Sequence, residues 1–301
     1  MKYFIVLWLS VVLLAAPSVF AKRPVHVSYI NDGKSFLYSG LPHERGYLFN
    51  PDAERRLRLV TLNWPPYIDD SLCNKGWVFQ LAVYLLTSQG YGVYVEFLPW
   101  ARAVRDVELG KADIIFPEYY IEQEAPSDVV RGKTRRALLA LSHNFPGGEI
   151  SLFKHKDSDF QFNGQLQSIL DKTIGIVRGY QNTPEFDALI DNGKLKTVEA
   201  VNDLQQIKLL TNKRVELIVA DPEVVRSTIK QADVSIAEKR HMLNQMHVLT
   251  PHLAYNPLYF ALSKQVPDWK NILHNLNQAL DAKLASGEIQ DFIARSKAQC
   301  E

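Results

Sequence analysis

Two stretches of this sequence carry the same alternation of period-two and helical apolar spacing, and that repetition constrains the fold more than any other feature. In the first, Leu57, Leu59 and Thr61 alternate with Arg58 and Val60 before the chain turns at Pro65-Pro66. Val78, Leu81, Ala82, Leu85 and Leu86 follow at the spacing of one apolar helical face, with Gly90 standing where a helix would stop. Val93, Val95 and Phe97 alternate as a second strand, Pro99 opens a helix over Trp100 to Leu109, Gly110 closes it, and Ala112 to Phe116 reads as a buried strand. The second stretch repeats the scheme. Thr173 to Val177 is a strand, Thr183-Pro184 starts a helix ending near Gly193, and Leu195 to Val198 is a strand; Asn202 caps a helix through Lys213, and Val215 to Ala220 closes the series. Strand, helix, strand, helix, strand implies a parallel sheet wrapped by helices, so two such series imply two α/β lobes. The closing segments echo one another, because Gly110 to Glu118 and Lys213 to Glu223 each run from a basic helix end through a strand to Pro-Glu.

Outside the repeats the signals differ. Residues 22–56 are rich in Gly, Pro, Asn and charge, including the turn-forming Asn31-Asp32-Gly33 and Asn50-Pro51-Asp52, and are expected to be an irregular N-terminal extension. From Asp268 to Ser296 the residues Trp269, Ile272, Leu273, Leu276, Leu280 and Leu284 fall at helical spacing, so the tail is one or two helices packed on the first lobe. The lobe boundary is expected between Ser142 and Lys156, with a return crossing near Leu249 to Tyr259. The resulting division is a signal peptide over 1–21, the extension over 22–56, a first lobe of 57–148 with 256–301, and a second lobe of 149–255.

The ends and the composition bound the setting. Lys2 precedes an apolar run from Tyr3 to Ala16, and Ser18-Val19-Phe20-Ala21 places small residues as a signal peptidase requires, so export with cleavage before Lys22 is expected. That run is short of the roughly 20 apolar residues a membrane span needs. Lys plus Arg (34) nearly balances Asp plus Glu (33), with no basic block or basic-aromatic stripe, which excludes a nucleic-acid footprint. Only Cys73 and Cys300 are present, and in an oxidising compartment one bridge between them is expected. Two cysteines without a nearby histidine pattern argue against structural zinc, and His241, His247 and His252 are scattered without metal spacing. No cofactor is expected, and a monomer is.

The chain resembles the bacterial extracellular solute-binding proteins of family 3, the periplasmic group that includes the polar amino-acid binders. The residues that carry the resemblance are Leu62-Asn63-Trp64-Pro65-Pro66-Tyr67, Gly76, Leu98-Pro99-Trp100-Ala101-Arg102 and Gly110-Lys111-Ala112-Asp113 in the first half. Gly175-Ile176-Val177-Arg178-Gly179 and Tyr259-Phe260-Ala261-Leu262-Ser263-Lys264 extend it, so it runs from about Leu57 to Ser296. The resemblance implies a type II periplasmic-binding fold, with a mainly parallel sheet in each lobe and two crossing hinge segments that close on a small polar solute. It implies a periplasmic location and no catalysis. An inner-membrane ABC permease is the implied partner; a signalling protein that reads occupancy is the alternative, and a few exported dehydratases share the scaffold. Amino-acid binders of the family carry an arginine in a Thr-x-x-Arg context after the third strand, which grips the ligand carboxylate. Here that stretch reads Tyr119-Tyr120-Ile121-Glu122-Gln123-Glu124-Ala125-Pro126, with no arginine until Arg131.

Ligands in such sheets sit outside the C-terminal strand ends, so the candidates come from the following loops. Tyr67 follows two prolines and can offer an aromatic wall, or it packs its loop. Trp100 and Arg102 begin the second helix; Arg102 either replaces the missing clamp or pairs with Glu96 or Asp106. Glu118, Tyr119 and Tyr120 follow the third strand and suit a cationic or hydroxyl-bearing ligand, or form a surface turn. Arg178, Gly179 and Tyr180 precede a Thr183-capped helix and make a natural anion pocket. Asp221 ends the last strand of the second lobe, where the family places an acid that meets the ligand's amino group.

Overall fold

Residues 23–31 and 34–299 are described by the computed structural model of the chain. The candidate export signal and Cys300 lie outside the described residues. Where the sequence reading expects irregular structure, the chain forms three strands, β1 (Val25–Asn31), β2 (Lys34–His43) and β3 (Gly46–Phe49). Period-two spacing is the cause, because Val25, Val27 and Tyr29 are buried while His26 and Ser28 between them are exposed. β1 and β2 pair as an antiparallel hairpin, and β3 turns back along β2. Gly46 is needed there, since a Cβ on it would stand 1.8 Å from the Val95 carbonyl oxygen on the neighbouring strand.

The first repeat follows as β4 (Arg56–Thr61), α1 (Trp77–Thr87), β5 (Gly92–Phe97), α2 (Trp100–Glu108) and β6 (Ile114–Glu118). β4 pairs parallel with both β5 and β6, and β3 extends the same sheet antiparallel to β5. After a short helix α3 (Arg135–Leu138) and strand β7 (Leu139–Leu141), β8 (Phe145–His155) leads into the second repeat. That repeat is β9 (Thr173–Val177), α4 (Pro184–Asp191), β10 (Lys196–Ala200), α5 (Asp203–Thr211) and β11 (Leu217–Ala220). Here β9 pairs parallel with β10 and β11. Each lobe therefore holds a parallel triple in the same order, with the first strand of the repeat between the second and the third.

α6 (Pro222–Gln231), α7 (Ile236–Asn244) and β12 (Met246–Val248) complete the second lobe, and β13 (Ala254–Ser263) returns to the first. The two long strands β8 and β13 join the lobes. Phe145 to Ile150 of β8 lie antiparallel to Ala254 to Leu258 of β13, the far end of β8 pairs with β11 and β12, and the far end of β13 pairs with β6 and β7.

The tail is two helices, α8 (Trp269–Ala285) and α9 (Glu288–Gln299), and it covers the first lobe as expected. One reading changes. α1 has no solvent face, because all eleven of its residues are buried. Its outer side is closed by β1 and by α9, with the Tyr84 ring 3.9 Å from Tyr29 and 5.7 Å from Phe292. Both chain ends thus cap the helix that the repeat alone would leave half open, and burying an aromatic of that size stabilises by about 2–3 kcal/mol.

Candidate functional site

The strand order places the crevice. In an open parallel sheet it lies beyond the carboxyl ends of neighbouring strands whose connections leave in opposite directions, which here means Thr61, Glu118, Val177 and Ala220. The loops after those ends face one another across the lobes and are joined by hydrogen bonds. Tyr67 of the first lobe is buried and its hydroxyl donates to Asp221 Oδ2 at 2.7 Å. Asp221 is held by its own helix, since it caps α6 by accepting from the amides of Glu223 and Val224. Trp100 donates from its indole nitrogen to the Gly179 carbonyl at 2.9 Å, and its ring meets Tyr180 edge-on at 6.1 Å. Tyr180 donates to Asp203 Oδ2 at 2.8 Å, and Trp64 of the opposite lobe is close enough to favour the charged form of that carboxyl.

Two positions were not singled out from the sequence and belong to this cluster. Trp64 stacks on Tyr67 with centroids 4.6 Å apart and stands edge-on to Tyr119 at 5.6 Å. Asp203 is the first residue of α5, so its carboxylate lies at the positive end of a helix. The available signal was its place directly after β10, the same strand-end logic that picked out Asp221.

Glu118 is buried and accepts from Arg135 at 3.0 Å; the same guanidinium donates to Glu108 at 2.9 Å. Arg135 was also missed, because a sequence does not show that one arginine among Arg131, Arg135 and Arg136 is buried between two acids. Tyr119 is 7% exposed, and its hydroxyl has no hydrogen-bond partner among the described residues. The rest of the expected set does not join the cluster. Tyr120 is on the surface, its ring against Tyr259 and under Arg136. Arg102 is exposed, and the acids weighed as its partners, Glu96 and Asp106, are both taken by Arg58. Arg178 points outward, with its Nε on Glu199 at 2.7 Å. The groove beside it carries Glu108, Asp128, Asp187, Asp191 and Glu199 against only Arg135 and Arg178, which is a poor anion pocket.

Electrostatically the cleft holds Asp203 and Asp221, buried acids with no basic partner among the described residues, beside Glu118, which Arg135 pairs. Burial pushes the Asp203 carboxyl up to about 6, although Tyr180 and Trp64 pull the other way. Burial likewise raises Asp221 against its donor Tyr67 and the α6 amides, and raises Glu118 against Arg135. The phenols of Tyr67, Tyr119 and Tyr180 are pushed up by burial and then by the adjacent carboxylates, so they remain neutral donors. Between the lobes lies a cavity of about 740 Å³ bounded by the loops after β4 and β5 on one side and by the starts of α5 and the end of α6 on the other. A deeper pocket of about 20 Å³ adjoins it, sharing Leu62, Trp100 and Tyr180 and adding Trp64, Glu118 and Tyr119. The first volume is that of a small-molecule site.

No protein-family model and no curated protein matches the chain. Solved structures do. An ancestral arginine-binding protein bound to arginine is 16% identical with a TM-score of 0.62, covering 81% of this chain and 98% of its own. An arginine third transport system periplasmic binding protein from Legionella pneumophila is 13% identical with a TM-score of 0.61, covering 81% and 100%. A histidine kinase sensor domain with similarity to periplasmic binding proteins is 15% identical with a TM-score of 0.61, covering 80% and 96%. The chain therefore has the two-lobed α/β fold of the periplasmic binding proteins.

Proposed function

We propose that this chain is an extracellular solute-binding protein of family 3 that captures a small polar solute between its lobes and hands it to an inner-membrane ABC permease. The observation that carries the reading is a cavity of ligand size between the lobes, lined by the loops after β4, β5 and β9 and by the start of α5, beside the cross-cleft hydrogen bonds of Tyr67 to Asp221 and Trp100 to Gly179. Trp64, Tyr67, Trp100, Glu118, Tyr119, Gly179, Tyr180, Asp203 and Asp221 are the binding set. The sequence supports export through a cleaved signal over 1–21 into the periplasm, with Cys73 bridged to Cys300; among the described residues no cysteine is free. Lobes of 57–148 with 256–301 and of 149–255 fit the exchange of β8 and β13 between sheets.

Binding without catalysis is favoured by what the polar groups can reach. Ser151 lies 3.1 Å from His252, whose other ring nitrogen faces Glu149, but Ser151 is fully buried and out of reach of a substrate. A second reading, a sensory subunit, is supported by the likeness to the histidine kinase sensor domain. The neighbouring genes separate the two, a permease and ATPase pair supporting uptake and a kinase or cyclase supporting sensing.

The test is a thermal-shift screen of the purified mature protein over amino acids, amines, sugars and organic acids. A ligand of the folded state at 100 times its Kd stabilises by about 2.7 kcal/mol. One solute class is expected to raise Tm, and Tyr67→Ala and Trp64→Ala are expected to abolish the shift; unaltered binding in both variants refutes the site.

A further inference from the structure

The chemistry of the cleft narrows the solute class, on the premise that the cleft is where a solute binds. The wall of the 740 Å³ cavity includes the carboxylates Asp69 and Asp203 and no lysine, arginine or histidine. The deeper pocket adds Glu118, again with no basic side chain in its wall. Arg135 is engaged between Glu108 and Glu118, and Arg178 on Glu199. Among the described residues Asp203 and Asp221 receive only neutral donors, the Tyr180 and Tyr67 phenols and backbone amides. A buried carboxylate with neutral partners alone keeps an uncompensated charge, and a cation is what offsets it.

An independent observation points the same way. The Tyr119 hydroxyl is buried without a partner among the described residues, and Tyr119 shares the wall of the small pocket with Glu118. Buried hydroxyls are nearly always satisfied, and an orphan at a cleft marks a place for a ligand atom. The pocket beside it, about 20 Å³, takes a group the size of one water or one ammonium. Trp64, Trp100 and Tyr180 supply aromatic rings to the wall of that pocket, where a cation can rest against a ring. Beyond it the larger cavity runs along Phe97, Leu98 and Pro99, an apolar wall suited to methylenes, toward Asp203 and Asp69.

We infer that the solute is an aliphatic amine bound as its ammonium ion and carrying no carboxylate, with one ammonium beside the Tyr119 hydroxyl and its chain extending toward Asp203. A ligand carboxylate would meet Asp69, Asp203 and Glu118 and no basic side chain in the walls of these two pockets, which sets the class apart from amino acids.

The experiment uses the purified mature protein, stripped of bound solute by unfolding and refolding, and isothermal titration with 1,5-diaminopentane, lysine and 5-aminopentanoate. The first two differ by one carboxylate. The diamine is expected to bind at least tenfold more tightly than lysine, and the amino acid lacking the second ammonium is expected to be weakest. Asp203→Asn is expected to weaken diamine binding roughly 10- to 100-fold. Tyr119→Phe, which removes only an unpartnered hydroxyl and leaves folding intact, is expected to weaken it roughly fivefold. Lysine binding as tightly as the diamine overturns the inference, as does an unchanged diamine affinity in both variants. If the diamine fails while an anion or sugar from the thermal-shift screen binds at the same cleft, the amine class is refuted and solute capture stands. If no solute of any class binds, capture itself is refuted.

Discussion

Replacing Asp203 by asparagine removes a buried charge that the unliganded fold holds at a cost, and the cost has a definite pH signature. A carboxyl lifted from 3.8 to about 6 on folding leaves the native state undisturbed below the unfolded value and penalises it as pH rises through the folded value. By that linkage the penalty approaches about 3 kcal/mol at pH 8, and about half of it accrues between pH 5 and pH 8. In Asp203→Asn the amide oxygen still accepts from Tyr180, so any fixed cost of the substitution is the same at every pH. The quantity to read is therefore the pH dependence of the difference between variant and wild type, from urea denaturation followed by tryptophan fluorescence at pH 5, 6, 7 and 8 in the absence of solute. The variant is expected to gain on wild type by roughly 1–1.5 kcal/mol between pH 5 and pH 8. A flat difference, or wild type gaining as pH rises, refutes the reasoning, because Asp203 would then carry its charge against a cation already built into the fold.

Three further outcomes follow from the same geometry. A Cβ on Gly148 of β8 would stand 2.0 Å from Asp221 Oδ2 and 2.3 Å from the Tyr67 hydroxyl, so Gly148→Ala is expected to break that link and to abolish any solute-induced contraction in small-angle scattering; a wild-type contraction contradicts this. Arg135→Met strands Glu108 and Glu118 as buried acids and is expected to cost about 3–5 kcal/mol in urea denaturation, with Glu108→Gln and Glu118→Gln added to it restoring part of the loss. An undiminished midpoint in Arg135→Met would show that the triad is not held as ion pairs. Reduction of the proposed Cys73 to Cys300 bridge, which closes a loop of roughly 230 residues, is expected to lower stability by up to about 5 kcal/mol in the chain-entropy account, and intact mass with and without reductant checks that the bridge exists.

Much of this architecture was legible because parallel strands buried on both faces leave uninterrupted apolar runs such as Ile114 to Phe116 and Leu217 to Ala220, and because Thr183 and Asn202 announce their helices by capping them. The N-terminal strands were not, since glycine, proline and asparagine around the turns mask the alternation of Val25, Val27 and Tyr29. In the site, strand-end position drew attention to Tyr67, Tyr119 and Asp221, which the fold brings close together. What position could not supply was the direction a side chain takes. Arg178 follows a strand end as Asp221 does, yet turns to Glu199, and Tyr120 turns away from the cleft that its neighbour Tyr119 enters. Partnership was equally hidden, because Arg58 lies 38 residues from Glu96 and still claims the acid that Arg102 might have used.

Hydrogen exchange read by mass spectrometry, with and without the solute found by the thermal-shift screen, tests the central claim most directly. Capture between the lobes predicts simultaneous slowing in the loops after β4, β6, β9 and β11, together with the starts of α2 and α5. Slowing confined to one lobe, or at a face away from those loops, contradicts it.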